Sequence, residues 1–191
     1  DAVEDGGDVR ITSRRFRLGA GDDAAPWQVP FFVRVGDRTD RVLLPAGGTT
    51  LVGAGGKPAV VNAGGHAFVR VRYDAALLGR LTGAIGSLAP IERYQLVDDT
   101  WATVLAGSTP ASTFIDLARS FGDETDLAVW GAILTGLSWC ERILEGEPRA
   151  RLRALVRSLA RPAFDRLGLA AAPGEVPSVG EREDREVGRQ R

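Results

Sequence analysis

The spacing of hydrophobic positions changes once along this chain, from a period near two to a period near four, at about Asp74. Before that point the runs are short and separated by turn residues. Val9 and Ile11, then Phe16 and Leu18, open the pattern, and residues 27–35 (Trp-Gln-Val-Pro-Phe-Phe-Val-Arg-Val) are rich in strand formers. Gly36-Asp37 is a turn signal, followed by 41–44, 49–52, 59–62 and 68–73 as further strands. In the last run Val69, Val71 and Tyr73 share one face while Arg70 and Arg72 take the other. Six short strands spaced in this way predict a small antiparallel β-sandwich, with Pro30 marking an edge or a bulge.

After Asp74 the pattern is helical. Leu77, Leu78, Leu81 and Ile85 form a first stripe, and Ile91, Tyr94, Val97, Trp101, Val104 and Leu105 a second that stops at Gly107. Thr109-Pro110 reads as an N-cap and first-turn proline opening a third helix that buries Phe114, Leu117 and Phe121. Asp123 and Glu124 open a fourth, whose stripe is Leu127, Trp130, Ile133, Leu134, Leu137 and Leu144. Gly146 stops it, and Leu152, Leu155, Val156 and Leu159 line a fifth helix that Pro162 should kink or split. The expected architecture is therefore β then α: a small antiparallel sandwich over 1–74, an antiparallel helical array over 75–170, and a charged tail or unfinished helix over 171–191.

Composition narrows the chemistry. The chain has 191 residues, 44% hydrophobic and 26% charged, with a net charge of −1. That balance calls for neither nucleic acid nor an anionic membrane, and no apolar run approaches the roughly 18–20 residues of a membrane span. It opens at Asp1 and has no methionine, so we expect a piece of a longer protein. His66 is the only histidine, which excludes a two-histidine zinc site within the chain. His66 lies in a short glycine-rich segment between strands and is expected as an exposed loop residue rather than a catalytic base. Cys140, the single cysteine, falls on a helical apolar stripe and is expected as a buried core thiol. One unpaired cysteine leans the localisation toward the cytoplasm.

Three features imitate sites. Residues 53–58 (Gly-Ala-Gly-Gly-Lys-Pro) suggest a phosphate loop, but the glycine spacing is wrong and proline follows Lys57, so a hairpin loop is expected. Arg149, Arg153, Arg157 and Arg161 repeat every four residues and read as a solvated helix face opposite the leucines. Asp98-Asp99 and Glu124/Asp126 are carboxylate pairs that capping and ion pairing explain.

Several segments resemble, in collinear order over residues 9 to 168, the C-terminal half of the aminopeptidase N family of zinc metallopeptidases. Residues 62–74 (Asn-Ala-Gly-Gly-His-Ala-Phe-Val-Arg-Val-Arg-Tyr-Asp) are similar to the family's "N-x-x-x-x-G-[YF]-Y-R-V-x-Y-D", which closes its sandwich. Ser13-Arg14-Arg15-Phe16 resembles "Q-x-R-F", and Trp27-Gln28-Val29-Pro30 "W-x-[IV]-P". Residues 88–99 look like "L-x-P-x-[DE]-R-x-x-L-[IV]-D-D", residues 124–130 like "E-x-[DE]-x-x-V-W", and 165–168 like "x-R-L-G"; Gly180-Glu181 is similar to the acidic start of the next helix. Ser13, Ala67 and Val69 depart from the pattern and leave both an active and an inactive parent open.

The resemblance implies a division of labour. Zinc, H-E-x-x-H with its distant glutamate, and G-x-M-E-N would lie before Asp1, in a thermolysin-like domain. This chain would be the non-catalytic sandwich and the first helices of a superhelix that closes over the cleft, packing against that domain and meeting peptide substrates only through the whole protein. No catalytic, cofactor-binding or metal residue is carried onto it. A cut superhelix leaves an uncapped apolar face, so an exposed patch with aggregation or dimerisation is expected of the isolated chain. The alternative function is an inactive aminopeptidase-like scaffold, with the arginine face from Arg149 to Arg161 as its partner surface.

Overall fold

Alternating valines, isoleucines and phenylalanines have only one way to bury a single face each, and here they do so in two facing sheets. The computed structural model describes residues 1–19 and 27–167. Strands β1 (Ala2–Asp5), β2 (Asp8–Thr12) and β5 (Thr49–Val52) form one antiparallel sheet in the order β1-β2-β5. Strands β3 (Val29–Val35), β4 (Arg38–Leu44) and β6 (Ala59–Val61) form the other, ordered β4-β3-β6. Val9, Ile11, Phe31, Val33, Val42 and Leu44 meet between them, all buried. Pro30 lies in the half of β3 that has β4 alone as a neighbour, because β6 pairs only with Val33–Val35. A residue without an N–H is tolerated in that position.

Strand membership differs from the sequence expectation at both ends. Ala2–Asp5 is a strand that the pattern did not reveal, since the turn Gly6-Gly7 pairs it with β2 through only one apolar alternation. Phe16 and Leu18 are exposed and outside any strand. Residues 68–73 keep the alternating burial but join no ladder beyond one parallel bridge, Ala2 to Tyr73. Nor is the 53–58 loop a hairpin, for β5 and β6 belong to different sheets and the loop crosses between them. Asp8 Oδ1 accepts the Ala54 and Gly55 amides at 2.8 and 3.2 Å, taking up the donors that a phosphate would need.

Five α-helices follow: α1 (Ala75–Gly83), α2 (Pro90–Leu105), α3 (Ala111–Ala118), α4 (Leu127–Ile143) and α5 (Gly146–Leu167). Asp74 caps α1 by accepting the Leu77 amide at 2.9 Å, while its other oxygen accepts the Glu4 amide at 2.7 Å. One side chain thus fixes the first helix to the first strand, and Leu77 drops into the sandwich core. Pro110, not Thr109, is the N-cap of α3, and it supplies no side-chain cap. Asp126, not Asp123 or Glu124, caps α4, accepting the amides of Ala128 and Val129 at 2.9 and 3.1 Å. α5 runs through Pro162 as one helix, so the split that the sequence allowed there does not occur. The expected tail over 171–191 lies outside the described residues.

The helices share a core in which Phe114, Phe121, Val129, Ile133 and Leu137 are almost completely enclosed. Cys140 is buried there as expected, and its apolar surroundings raise the thiol pKa. α4 is apolar all round, so periodicity alone does not phase it. Its buried face is Val129, Ile133, Gly136, Leu137 and Cys140, whereas Leu127 and Leu134, placed on the core stripe by the sequence, are exposed. Gly136 decides that phase because the Phe114 ring lies against it: a Cβ built there would overlap Phe114 Cζ and Cε1. Gly136→Ala gains helix propensity of about 1 kcal/mol but overpacks a site that costs about 1–3 kcal/mol. We expect net destabilisation, measured as a lower denaturant midpoint, and an unchanged or raised midpoint would refute this packing account.

Candidate functional site

Helix α2 carries three acidic side chains, Glu92, Asp98 and Asp99, and burial obliges the enclosed ones to find cations or amides. Glu92 stands one turn inside the helix. Its carboxylate accepts the Ala89 amide at 3.0 Å, which satisfies the helix start, and Arg34 of β3 grips it through Nε and a second guanidinium nitrogen. Asp99, further along the same helix, accepts the Val71 amide at 2.9 Å and pairs with Arg70, which also contacts the neighbouring Asp98. Arg93 of α2 points the other way and forms a two-pronged pair with Glu124, at 2.7 and 2.9 Å, ahead of α4. Glu124 accepts the Thr125 and Asp126 amides as well, both at 2.8 Å, and Trp130 donates its indole N–H to the Glu124 carbonyl.

The strap from Asn62 to Asp74 is fastened at each end. Asn62 adopts a left-handed backbone (φ 61°), which asparagine tolerates, and its side chain both donates to the Ala67 carbonyl and accepts the Ala67 amide, each at 2.9 Å. Tyr73 presents its hydroxyl to the Val61 amide at 2.9 Å, and burial pushes that hydroxyl's pKa well above its ordinary value. Arg72 holds the Asp1 carboxylate at 2.9 and 3.1 Å. The residues carrying the sequence motifs are therefore one another's partners, across strap, α2 and the start of α4.

Between strap, sandwich and α2 opens a groove of about 770 Å3. Its floor includes sandwich core residues such as Phe31 and Val61, and its rim carries Phe16, Trp27 and Phe68, all exposed. The described lining of the groove contains no histidine or cysteine, and its carboxylates are paired, Asp1 with Arg72 and Asp98 and Asp99 with Arg70. His66 is exposed and meets Phe32 edge-on at a ring separation of 5.4 Å, away from any paired acid or nucleophile described here. Among the described residues no group of three or more histidine, cysteine, aspartate or glutamate side chains is placed to hold a metal ion, so they do not fit a zinc site. Among the described residues, charged groups of the groove pair with one another and brace neighbouring elements. The arginine face of α5 is largely occupied too: Arg149 and Arg153 share Glu141 Oε1 and Arg161 pairs with Asp165.

Two of the three acids buried among the described residues, Asp99 and Glu124, respond oppositely to their surroundings. Burial raises the Asp99 pKa to about 6, against the opposing pull of the Val71 amide and Arg70. For Glu124 burial also pushes upward, but Arg93 and the two amides outweigh it and the pKa is lowered. In the unfolded chain Asp99 titrates near 3.9, so only the folded form holds this proton between about pH 4 and pH 6. Its contribution to stability is thus complete below about pH 4 and declines as pH rises through about 6. The stability difference between wild type and Asp99→Asn should accordingly shift against the wild type as pH is raised from about 4.5 to about 7, followed by urea unfolding. Parallel profiles would contradict the burial assigned to Asp99. Arg93→Ala leaves the enclosed Glu124 carboxylate with two backbone amides and no counter-charge, and should destabilise the protein by about 3–5 kcal/mol. A loss below about 1 kcal/mol, the size expected for a surface pair, would show that Glu124 is solvated in solution.

Comparisons with known proteins agree with this geometry. Residues 59–186, spanning strap and helices, match the family described as ERAP1-like C-terminal domain. The chain is 30% identical over 181 residues to a puromycin-sensitive aminopeptidase of Caenorhabditis elegans, covering 87% of this chain and 19% of that protein. It is 31% identical over 120 residues to aminopeptidase M1-A of Oryza sativa subsp. japonica, covering 60% of this chain and 14% of the relative. Against aminopeptidase N of Lactobacillus helveticus it is 25% identical over 179 residues, or 91% of this chain and 21% of the relative. It therefore spans about a fifth of the length of such relatives. With the interlocked motifs and the matched span taken together, the chain belongs to the aminopeptidase N family through its ERAP1-like C-terminal domain.

Proposed function

We propose that this chain is the non-catalytic sandwich, over 1–74, and the first superhelical helices, from residue 75, of an aminopeptidase N-like zinc metallopeptidase that removes N-terminal residues from peptides. The observation that carries the proposal is the collinear match to aminopeptidases over 181 residues by a chain whose own sequence contains a single histidine. The catalytic zinc and the groups that bind a peptide's amino terminus belong to a domain outside this sequence. The chain's part is mechanical: it packs against that domain and walls off the cleft, limiting substrate size and excluding bulk water. The paired acids of α2 support this role, because Glu92 with Arg34 and Asp99 with Arg70 join sandwich and helices through buried charge that costs several kcal/mol to leave unpaired. Such a wall holds its shape while a cleft opens and closes.

The test compares the 1–191 chain with the protein encoded by the complete gene, using aminoacyl-coumarin substrates and metal analysis. The complete protein should release N-terminal residues and contain zinc, and the 1–191 chain should do neither. A complete protein that is folded, metal-free and inactive would overturn the catalytic reading in favour of a scaffold.

A further inference from the structure

Residues 68–73 have the alternation of a strand and the burial pattern of a strand, yet only one rung of a ladder. On the side facing α2 the segment is satisfied, since Val71 donates its amide to Asp99. On the opposite side it runs beside β1. The Ala2 amide donates to the Arg72 carbonyl at 2.8 Å and the Asp74 amide to the Ala2 carbonyl at 3.0 Å, which is a parallel rung. One rung further toward Phe68, the Arg72 amide and the Arg70 carbonyl point the same way, and among the described residues neither has a hydrogen-bond partner.

The other flank is equally prepared. Asp1 exchanges both backbone hydrogen bonds with Thr12, at 2.8 and 2.9 Å, so the β1–β2 ladder is still in register at the first residue. Continued by one step, that register sets a new residue opposite Ser13, whose hydroxyl oxygen is buried in the groove wall and finds no partner among the described residues. Two ladders, one antiparallel and one parallel, thus converge on one strand position in the 770 Å3 groove that no described residue fills.

We propose that the groove is the seat of the polypeptide that precedes Asp1 in the longer protein, which continues β1 between Ser13 and the strap as an added strand. Relatives about five times as long supply the expectation that such a segment exists, and the register supplies its place. The residue immediately before Asp1 accepts the Arg72 amide and donates to the Arg70 carbonyl. Its side chain falls on the inward face shared with Ala2, Ile11 and Val71, all buried, so an apolar residue fits and a charged one does not. The strap then becomes the strand that its sequence pattern predicts, locked between β1 and α2. This requires only that chain precede Asp1, and it holds whether or not the parent is an active peptidase.

Hydrogen exchange resolved at single amides tests it on two chains, 1–191 and the same chain extended by about ten residues encoded upstream of Asp1 in its own gene. The Arg72 amide should exchange at least about tenfold more slowly in the extended chain, while the Trp130 amide, in α4 and outside the groove wall, stays unchanged. An extended chain with aspartate placed immediately before Asp1 should lose that protection. Equal Arg72 exchange in the two native chains would overturn the proposal. So would protection in 1–191 that grows with concentration alongside a dimer in light scattering, since a second copy would then be the occupant.

Discussion

The structure depends on carboxylates buried at the surface of one helix. Glu92 and Asp99 of α2, together with Glu124 received by Arg93, stand where water is excluded, and an unanswered charge there costs more than any single apolar contact returns. Each is answered from a different element: Glu92 from β3, Asp99 from the strap, Glu124 from α2 itself. The sandwich, the strap and the start of α4 are consequently fixed to α2 by requirements that hydrophobic burial alone does not impose. Apolar packing tolerates sliding, whereas a two-pronged arginine–carboxylate pair does not.

This constraint explains why a chain with two separate cores behaves as one body at its junction. The sandwich core and the helical core meet through Leu77, which α1 contributes to the strands, and through Val60 and Ala63, which the last strand and its following turn contribute to the helices. Asp74 fixes the angle at which the chain passes from one to the other, by bonding both β1 and α1. The groove opens on one side of this braced junction. Its aromatic rim and core-residue floor suit a polypeptide neighbour. The wall role proposed for this chain calls for such stiffness.

The fold was legible wherever a pattern had a single solution. Val69, Val71 and Tyr73 announced a strand-like strap, Phe114, Leu117 and Phe121 a buried helical face, and Cys140 a core position. It was not legible where two solutions cost the same. In α4 the pattern placed Ile133 and Leu137 inside, but the preference for Val129 over Leu127 and Leu134 was made by the Phe114 ring seated against Gly136, a contact between different helices. Glu124 carried every local mark of a helix-opening acid, yet it is held by Arg93, thirty-one positions earlier, and Asp126 caps the helix instead. A local rule has no means of ranking a cap against a distant partner.

By itself the sequence determined the class of the protein: strands then helices, a change of period at Asp74, one histidine and one buried thiol, and a set of motifs in order. Those are properties of spacing and composition, which survive any arrangement in space. Only the tertiary structure decided what the motifs are for. Asn62, Arg70, Tyr73, Glu92, Arg93, Asp99 and Glu124 are ordinary residues until their partners are known, and those partners lie mostly ten to sixty positions away. The electrostatic cost of burying charge pairs them, and that cost exists only once the chain has closed around them.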